Sequence, residues 1–474
     1  MFNTIFSMYQ NIKSSLSYNG QTCEPFACEI GVRQGENLSP FLFSLYLNDL
    51  EDYLISENVL GMNTISKDIE EKLGTLMKLF IILYADDTVI MAESPDQLQH
   101  ALNKFKKYCE TWKMRVNVAK TKILIFSKGR TTNPQLFRFN NHHIETVKHF
   151  NYLGIIFSKT GSFKQCKQNL KDKAISAMYE VLRKGRIHNL SIKCHVDLFD
   201  LLVKPILLYG CEIWGYENLD ILERVQTKFF KLLLHLKPST QNDFIYGELG
   251  LYPLEIDIKT RIISYWTKLI TGKESKLAAV MFRYLFKLAQ ETTFRSRSLD
   301  KMKSILDNCG FSYLWSFQNT SPNIKSIIKQ RLEDQFTQSW SGKVNDSPKA
   351  LNYRLYKTSH NFEHYLNVLD DKDVITMSRF RTMNHKLPIE NGRWQNIPRE
   401  QRKCPLCRVA IGDEYHYVME CSSLLTDRTL LIDKKYLTNF NVLKFNAIMN
   451  QKQKSKLRKL CQFIRIINDK LDSL

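Results

Sequence analysis

Long apolar runs are missing from this chain. No window of its 474 residues reaches the roughly 18 consecutive apolar positions of a membrane-spanning helix, so no transmembrane span is expected. The opening Met1-Phe2-Asn3-Thr4-Ile5 has no basic segment leading into an apolar core, so no secretory signal is expected either. Acidic residues are in short supply: Lys plus Arg number 68 against 48 Asp plus Glu, a net charge of +20. That imbalance favours a polyanionic partner, nucleic acid ahead of an anionic membrane, although a net charge does not locate a patch. Cysteine framework spacing is scarce as well. Most of the eleven Cys stand singly (Cys109, Cys166, Cys194, Cys211, Cys309, Cys461), which suits a reducing compartment with buried free thiols. An intracellular protein of the nucleus or cytoplasm is the expectation. What is present is core-forming material: 43% hydrophobic residues over a length that allows about two to four domains.

Residues 80–91, Phe-Ile-Ile-Leu-Tyr-Ala-Asp-Asp-Thr-Val-Ile-Met, set two short Ile- and Val-rich runs around one pair of carboxylates. The runs predict two buried strands of a hairpin with Ala85-Asp86-Asp87 at or near the turn. Like charges between apolar strands are disfavoured by repulsion and desolvation unless a cation or a solvated cleft compensates. Mg²⁺ is the natural cation, being a hard ion that shares its shell with substrate phosphates. On these residues alone, a solvated Asp-Asp turn with no role explains the pair as well.

Residues 1–20 read as a helix with Ile5, Met8, Tyr9, Ile12 and Leu16 on one stripe. Gly31-Val32-Arg33-Gln34-Gly35 follows, and its two glycines imply a loop whose backbone approaches something closely. Ser39 as N-cap and Pro40 at the first helical position predict a helix to about Leu54. Ser94-Pro95-Asp96-Gln97 is a capping box, and Leu98, Ala101, Leu102, Phe105, Tyr108, Cys109 and Trp112 form a 3.6-residue stripe behind it. Lys120 and Lys122 then lead into a strand, Ile123 to Phe126; a solvated turn accounts for them unless phosphates lie nearby.

Taken in order, GVRQGENLSPFLFSLYLNDL, LYADDTVIM, the helix–turn–strand from Trp112 to Phe126, and Tyr152-Leu153-Gly154-Ile155 resemble a reverse transcriptase, in particular the polymerase of non-LTR (LINE-like) retrotransposons. The resemblance covers about residues 1–160 and extends more loosely beyond. It implies an RNA-directed DNA polymerase that takes an RNA template, a DNA primer and dNTPs, and no membrane. Asp86 and Asp87 match the family's YxDD aspartates, which help hold two Mg²⁺ ions that activate the primer 3′-hydroxyl and neutralise pyrophosphate. Tyr84 and Ala85 match the positions before that pair. Arg33, Gln34 and Gly35 match the element beside the incoming nucleotide, Lys120 and Lys122 the segment bordering the triphosphate, and Tyr152, Leu153 and Gly154 the turn that supports the primer. One departure matters. The family carries an earlier aspartate upstream of the GVRQG element, and the residues before Gly31 hold no Asp. The fingers region is likewise absent. The expectation is an N-terminally truncated copy or an incomplete gene model, inactive alone; the alternatives are a non-catalytic nucleic-acid-binding remnant and a decayed fragment.

Residues 160–240 read as basic helices, with Lys164, Lys167, Lys171, Lys173, Arg183, Lys184 and Arg186 around an apolar stripe, Gly185 as a helix stop and Pro205 as a break. Their position resembles the family's thumb. Phe282-Arg283-Tyr284 and Phe380-Arg381 mix basic and aromatic side chains that would stack on bases if they were not core. Residues 319–323 and 342–348 are the best linkers. Cys404, Cys407, His416 and Cys421 then form C-x2-C-x8-H-x4-C, four soft ligands that suit a closed, structural Zn²⁺ site. Lys403, Arg402 and Arg408 beside it could touch nucleic acid. The tail from Lys452 to Lys470 reads as a basic amphipathic helix that packs on the zinc module, with membrane binding as the weaker use. The fold class expected is an α+β N-terminal part, a partial polymerase palm with a short antiparallel sheet and helices, followed by a mostly α-helical C-terminal half with a small zinc knuckle. The expected divisions are 1–158 (palm), 159–240 (thumb-like), 241–392 (helical connector), 393–430 (CCHC knuckle) and 431–474 (basic tail).

Overall fold

The computed structural model describes residues 2–28, 31–33, 35–63, 78–79, 81–84, 87–127, 136–273 and 276–474. They form two compact units, residues 1–162 and 163–474.

The first unit opens with α1 (Phe2–Tyr9) and four short strands, β1 (Lys13–Ser14), β2 (Ser17–Tyr18), β3 (Gln21–Thr22) and β4 (Phe26–Ala27). The expected helix over 1–20 therefore ends early. Asn11 takes a positive φ of 56°, and Asn19-Gly20, at φ 50° and 80°, closes a two-residue hairpin in which Tyr18 pairs with Gln21. Asn-Gly between short strands favours such a turn over helix. The helix expected from Ser39 to Leu54 is two helices, α2 (Ser39–Tyr46) and α3 (Leu50–Ser56). Ser39 is not the cap: Leu38 occupies that position, and the Ser39 hydroxyl donates to the Arg33 carbonyl at 2.6 Å. Strands β5 (Met62–Asn63) and β6 (Lys78–Leu79) precede the hairpin β7 (Ile81–Tyr84) and β8 (Asp87–Ile90).

Helix α4 (Pro95–Thr111) starts as the capping box predicts, with Ser94 Oγ accepting from the Gln97 N–H at 3.3 Å. Its stripe of Ala101, Leu102, Phe105, Tyr108 and Cys109 is buried. The stripe packs against Leu50 and Leu54 on one side and against Ile123, Phe137, Phe139 and Ile144 on the other. The last four come from a three-stranded sheet of β9 (Lys122–Leu124), β10 (Phe137–Phe139) and β11 (His142–Val147), in which β9 runs parallel to β11. Asp49 joins this packing, since the buried Tyr108 hydroxyl donates to it. A last hairpin, β12 (His149–Tyr152) and β13 (Ile155–Ser158), turns through Leu153 and Gly154 at φ 49° and 80°.

The second unit is helical in its described residues. Lys164–Ile187 buries Leu170, Ala174, Met178, Val181 and Leu182 as expected. Gly185 does not stop this helix. It is buried because the His195 ring lies on it; a Cβ there would sit 2.1 Å from His195 Nε2. The expected break near Pro205 is a π-helical turn, Phe199–Val203, after which Lys204–Leu207 resumes the helix. Residues 319–323 do separate two helices, but Gly342 to Asp346 continue the helix Ile324–Asp346, anchored by buried Trp340 and Val344. Phe282, Tyr284, Phe380 and Arg381 are core, not a stacking surface.

The C-terminal helix, Lys454–Asp472, packs on Asp371–Arg381 and on Leu425–Leu431. Its apolar stripe, including Leu457, Leu460, Phe463, Ile464 and Ile467, is buried and so unavailable to a membrane surface. Its basic residues face acids: Arg465 meets Asp373 at 2.7 Å, Lys456 meets Asp433 at 2.8 Å and Lys470 meets Asp427 at 2.6 Å. Among the described residues no helix is long and apolar enough to cross a membrane.

Gly250 caps Asn242–Leu249 with a left-handed φ of 59°, and Leu249 bridges to Phe362. A Cβ on Gly250 would lie 2.5 Å from the Phe362 nitrogen and 2.7 Å from the Asn361 carbonyl carbon. The left-handed conformation alone costs an L-residue about 1–2 kcal/mol, and the backbone contact adds to it. Gly250→Ala should lower the unfolding temperature of the chain by several degrees in a thermal melt, whereas Gly342→Ala, with open space at its Cβ in mid-helix, should leave it unchanged or raise it.

Candidate functional site

The hairpin forms in the register its sequence demands. Ile82 pairs with Val89, Leu83 with Thr88 and Tyr84 with Asp87, antiparallel, leaving only positions 85 and 86 between the strands. Ala85 and Asp86 lie outside the described residues. Asp87 is exposed and Thr88 to Ile90 are half-buried, so β8 is less enclosed than the apolar run suggests. An exposed carboxylate at the first residue of β8 is a hard-oxygen donor, which fits Mg²⁺.

Tyr152 is the predicted site residue that the structure brings to this carboxylate. Its hydroxyl is buried and has no hydrogen-bond partner among the described residues. Burial, and then the negative charge of Asp87, push that hydroxyl's pKa up. The tight Leu153-Gly154 turn sets Tyr152 at the last pair of β12 and β13, opposite Ile155.

The remaining predicted residues are less convergent. Arg33 holds its own loop. Its guanidinium donates to Glu36 Oε1 at 2.8 Å and to the Met8 carbonyl at 2.9 Å, and sits 5.9 Å from the centre of the Tyr9 ring. Gln34 lies outside the described residues. Gly31 and Gly35 are required by positive φ, 96° and 89°, and no described atom lies within 4 Å of a Cβ at either. The close backbone approach expected there is absent among the described residues. Lys122 Nζ donates to Glu145 Oε2 at 2.9 Å across the β9–β11 pair. Lys120 is exposed, with no ion-pair partner among the described residues. Asp49 accepts from Tyr108 in the helix packing.

In the second unit, the four soft ligands converge. Cys404, Cys407, His416 and Cys421 each offer a donor atom, and these atoms all lie within 4.8 Å of one another. Cys404 Sγ and Cys421 Sγ are 3.8 Å apart, and Cys407 Sγ and His416 Nε2 are 3.3 Å apart. Ligands about 2.0–2.3 Å from a tetrahedral Zn²⁺ would be separated by about 3.3–3.8 Å. Ionising the thiols together would call for a cation. Burial disfavours the Cys404 thiolate, but the neighbouring His416 and Tyr417 side chains and the backbone N–H groups outweigh it and bring the thiol down to about 6. Burial and the Cys404 charge then push Cys421 up to about 12, so the thiols resist ionising together unless a metal neutralises them.

Local backbone bonds build the knuckle. Cys404 N–H donates to the Ala410 carbonyl, and Arg408, at φ 61°, donates its N–H to the Cys404 carbonyl, both at 2.8 Å. Asp413 caps the next turn by accepting from the His416 N–H at 2.9 Å. Three supporting residues went unforeseen. Arg428, almost fully buried, donates to the carbonyls of Val418, Tyr417 and Cys421 at 2.9, 3.1 and 2.9 Å. Glu414 is buried against His385 Nε2 at 2.6 Å and accepts from Asn352. Tyr417 places its buried hydroxyl by the Cys404 sulfur, and burial followed by that sulfur raises its pKa. Only Asp413, three residues before His416, carries a local signal, that of a helix cap.

The basic residues of 160–240 divide. Lys167 is buried, bonded to Glu217 at 2.9 Å and to the Asn218 carbonyl at 3.0 Å, so it is structural. Arg183 and Lys184 share Glu180. Lys173 and Arg186 are exposed with no ion pair among the described residues.

Comparison with known proteins gives the class: residues 2–157 match the family described as reverse transcriptase (RNA-dependent DNA polymerase), so the first unit carries a reverse transcriptase domain. About half of the chain is similar to polymerases of LINE-like, non-LTR elements. It is 24% identical over 206 residues to the RNA-directed DNA polymerase from mobile element jockey of Drosophila melanogaster, covering 41% of this chain and 20% of that protein. To the probable RNA-directed DNA polymerase from transposon X-element of the same organism it is 20% identical over 264 residues, 53% of this chain and 27% of the other. To the Pol polyprotein of the type-1 retrotransposable element R2 of Popillia japonica it is 24% identical over 272 residues, 54% and 41% of the two chains. The chain thus spans between a fifth and about two-fifths of the length of these relatives.

Proposed function

We propose that this chain grips an RNA template and DNA primer and carries part of the metal-binding centre of an RNA-directed DNA polymerase. The observation that supports this most is the hairpin, with Asp87 exposed at its end and the unpartnered Tyr152 hydroxyl beside it, inside a reverse transcriptase domain. Asp86 and Asp87 would hold Mg²⁺, which supplies Lewis-acid activation of the primer 3′-hydroxyl and charge neutralisation at the leaving pyrophosphate. The chain's own residues do the rest. Tyr84 and Ala85 border the primer end, and the Leu153-Gly154 turn holds Tyr152 near Asp87. Lys120 is the better of the two lysines for the triphosphate, because Lys122 is already paired with Glu145. Arg33, Gln34 and Gly35 border the incoming nucleotide, with Arg33 swinging from Glu36 if it is to touch it. The helices of 159–240 grip the backbone of the hybrid, 241–392 connects, and the 393–430 knuckle holds a structural Zn²⁺ with the basic 431–474 tail packed behind.

A second reading, binding without synthesis, is favoured by one observation. Asp49 is bonded into the helix packing by the Tyr108 hydroxyl, so among the described residues it is held in a structural contact rather than beside Asp87. The 474-residue chain should therefore bind an RNA–DNA hybrid far better than it extends the primer. Binding should fall about a thousandfold between roughly 50 and 200 mM salt if about six phosphates are contacted. Fluorescence anisotropy measures this, alongside primer extension on an RNA template with Mg²⁺. Any extension seen should vanish in Asp86→Ala and Asp87→Ala. No binding at low salt would overturn both readings, and extension that survives Asp86→Ala would overturn the assignment of the hairpin.

A further inference from the structure

Trp394 is the one tryptophan of six that the fold leaves largely in solvent. Trp214, Trp266, Trp315 and Trp340 are buried and Trp112 is half-buried, whereas Trp394 is 64% exposed. Tryptophan carries the largest apolar surface of any side chain, so such exposure on a rigid element calls for a partner.

The element is rigid. Trp394 ends the helix Pro388–Trp394, which is closed by Asn396 at φ 53° and by the Ile397 N–H donating to the Gly392 carbonyl at 2.8 Å. The helix is bolted to the knuckle. Ile389 N–H donates to the Gly412 carbonyl at 3.2 Å, and Arg402 donates to the carbonyls of Ile389 and Ile397 at 3.0 and 2.8 Å. Gly392 lets the Arg402 stem pass, since a Cβ there would sit 2.6 Å from Arg402 Cγ. Among the described residues neither a second ring nor a cation covers the indole.

The surroundings select the occupant. Residues 393–408 carry five cations and the single anion Glu400. Arg393 is paired with Glu390, and Arg402 is bonded inward. Arg399, Lys403 and Arg408 are exposed; Arg399 has only a distant acid, Asp413 at 3.9 Å. A flat aromatic face on the same module as these exposed cations matches the two faces of single-stranded nucleic acid, base and phosphate. We infer that Trp394 is a base-stacking platform through which the zinc module holds a single-stranded segment of template or primer. This rests on the proposed reading of the chain as a nucleic-acid binder and names the residue and strand state that the knuckle engages.

The test uses the full chain, zinc-loaded, with fluorescein-labelled oligo(dT) and oligo(U) of about 20 nucleotides at fixed salt. Trp394→Ala should weaken binding about 5- to 150-fold, the range of one lost base stack. Trp394→Phe should keep most of the affinity, and Trp394→Leu, apolar but without the π face, should lose it as Ala does. The salt dependence should be the same in all, because no charge is removed. The zinc content of each variant shows that the module stands. Equal affinity for wild type and the Ala and Leu variants, with hybrid binding intact, would overturn this inference alone. So would a wild-type dimer in sedimentation that Trp394→Ala dissolves without changing oligonucleotide affinity, since the face would then be a protein contact. No oligonucleotide or hybrid binding by wild type would overturn this inference and the proposed function together.

Discussion

Cys404→Ser should take bound zinc from about one per chain to nearly none and release residues 402–431 to protease. The expected effect is large because the ligands lie at the module's buried centre. Cys404 and Cys421 are fully buried, and the hairpin that presents the first pair is held by only a few backbone bonds around Ala410 and Gly412. Zinc-finger peptides draw an apparent 10–16 kcal/mol, roughly, from their metal, and that binding energy is folding energy. The loss should spread. Arg428 is anchored on carbonyls at Tyr417, Val418 and Cys421, and the helix that carries it, Leu425–Leu431, is one of the supports of the C-terminal helix. A strong chelator applied to the wild-type chain should reproduce the proteolysis pattern of the variant. Retention of one zinc per chain in Cys404→Ser would show that the cluster is not the metal site.

What the sequence reveals here follows how local each determinant is. The stripe behind Ser94 and the spacing of Cys404, Cys407, His416 and Cys421 are legible because cap, period and ligands all lie within about one to five turns of chain. The hairpin at 81–90 is legible for the same reason. Misreadings fall where a residue answers to a distant neighbour or to a turn that was passed over. Asn19-Gly20 carries a hairpin signal that an apolar stripe over 1–20 obscured. Gly185 looks like a helix stop, yet it is small so that His195, ten residues on, can lie against it. Gly342 looks like a linker, but Trp340 and Val344 are buried on either side and hold it in helix. Lys167 and Lys122 look like phosphate contacts, and each is held by an acid, Glu217 or Glu145, from another element. Charge in a sequence states how many cations there are, not which of them remain free after folding.

Arg381 is the extreme case of that kind, and Arg381→Met should be among the most destabilising substitutions in the second unit outside the Cys/His cluster. Its guanidinium is completely buried. It makes a two-pronged bond to Glu248, 133 residues away, at 2.8 and 3.1 Å, and meets Glu363 at 3.2 Å and the Met449 carbonyl at 3.1 Å. The rings of Tyr356 and Tyr365 flank it, with centres 4.6 and 5.3 Å away. Lys357, itself buried, completes the group by bonding to Glu363 and Asn361, so two cations balance two carboxylates. Removing one partner leaves a carboxylate buried without its counter-ion, which costs about 3–5 kcal/mol, or roughly 10 °C in melting temperature. Arg381→Lys should restore little of this, because an ammonium cannot bridge both Glu248 oxygens and the Met449 carbonyl in one plane. Arg381→Met combined with Glu248→Gln should be less destabilised than the single variant, since the orphaned charge is gone. The pH dependence has a definite sign. In the wild type, burial would raise the Glu248 pKa, but Arg381 and Lys357 override it and hold it below the usual glutamate range. The stability from that shift is present above the unfolded pKa, near 4.3, and is lost only as pH falls through the lower folded value. Without Arg381 the burial effect on Glu248 is less opposed and its pKa rises above the unfolded value. The folded state then binds more protons than the unfolded one, so the variant's stability increases as pH falls from about 7 to 5 while the wild type changes little at this site. Chemical denaturation at the two pH values measures the gap. A gap that does not narrow on acidification would mean that Glu248 is not the charge left unpaired.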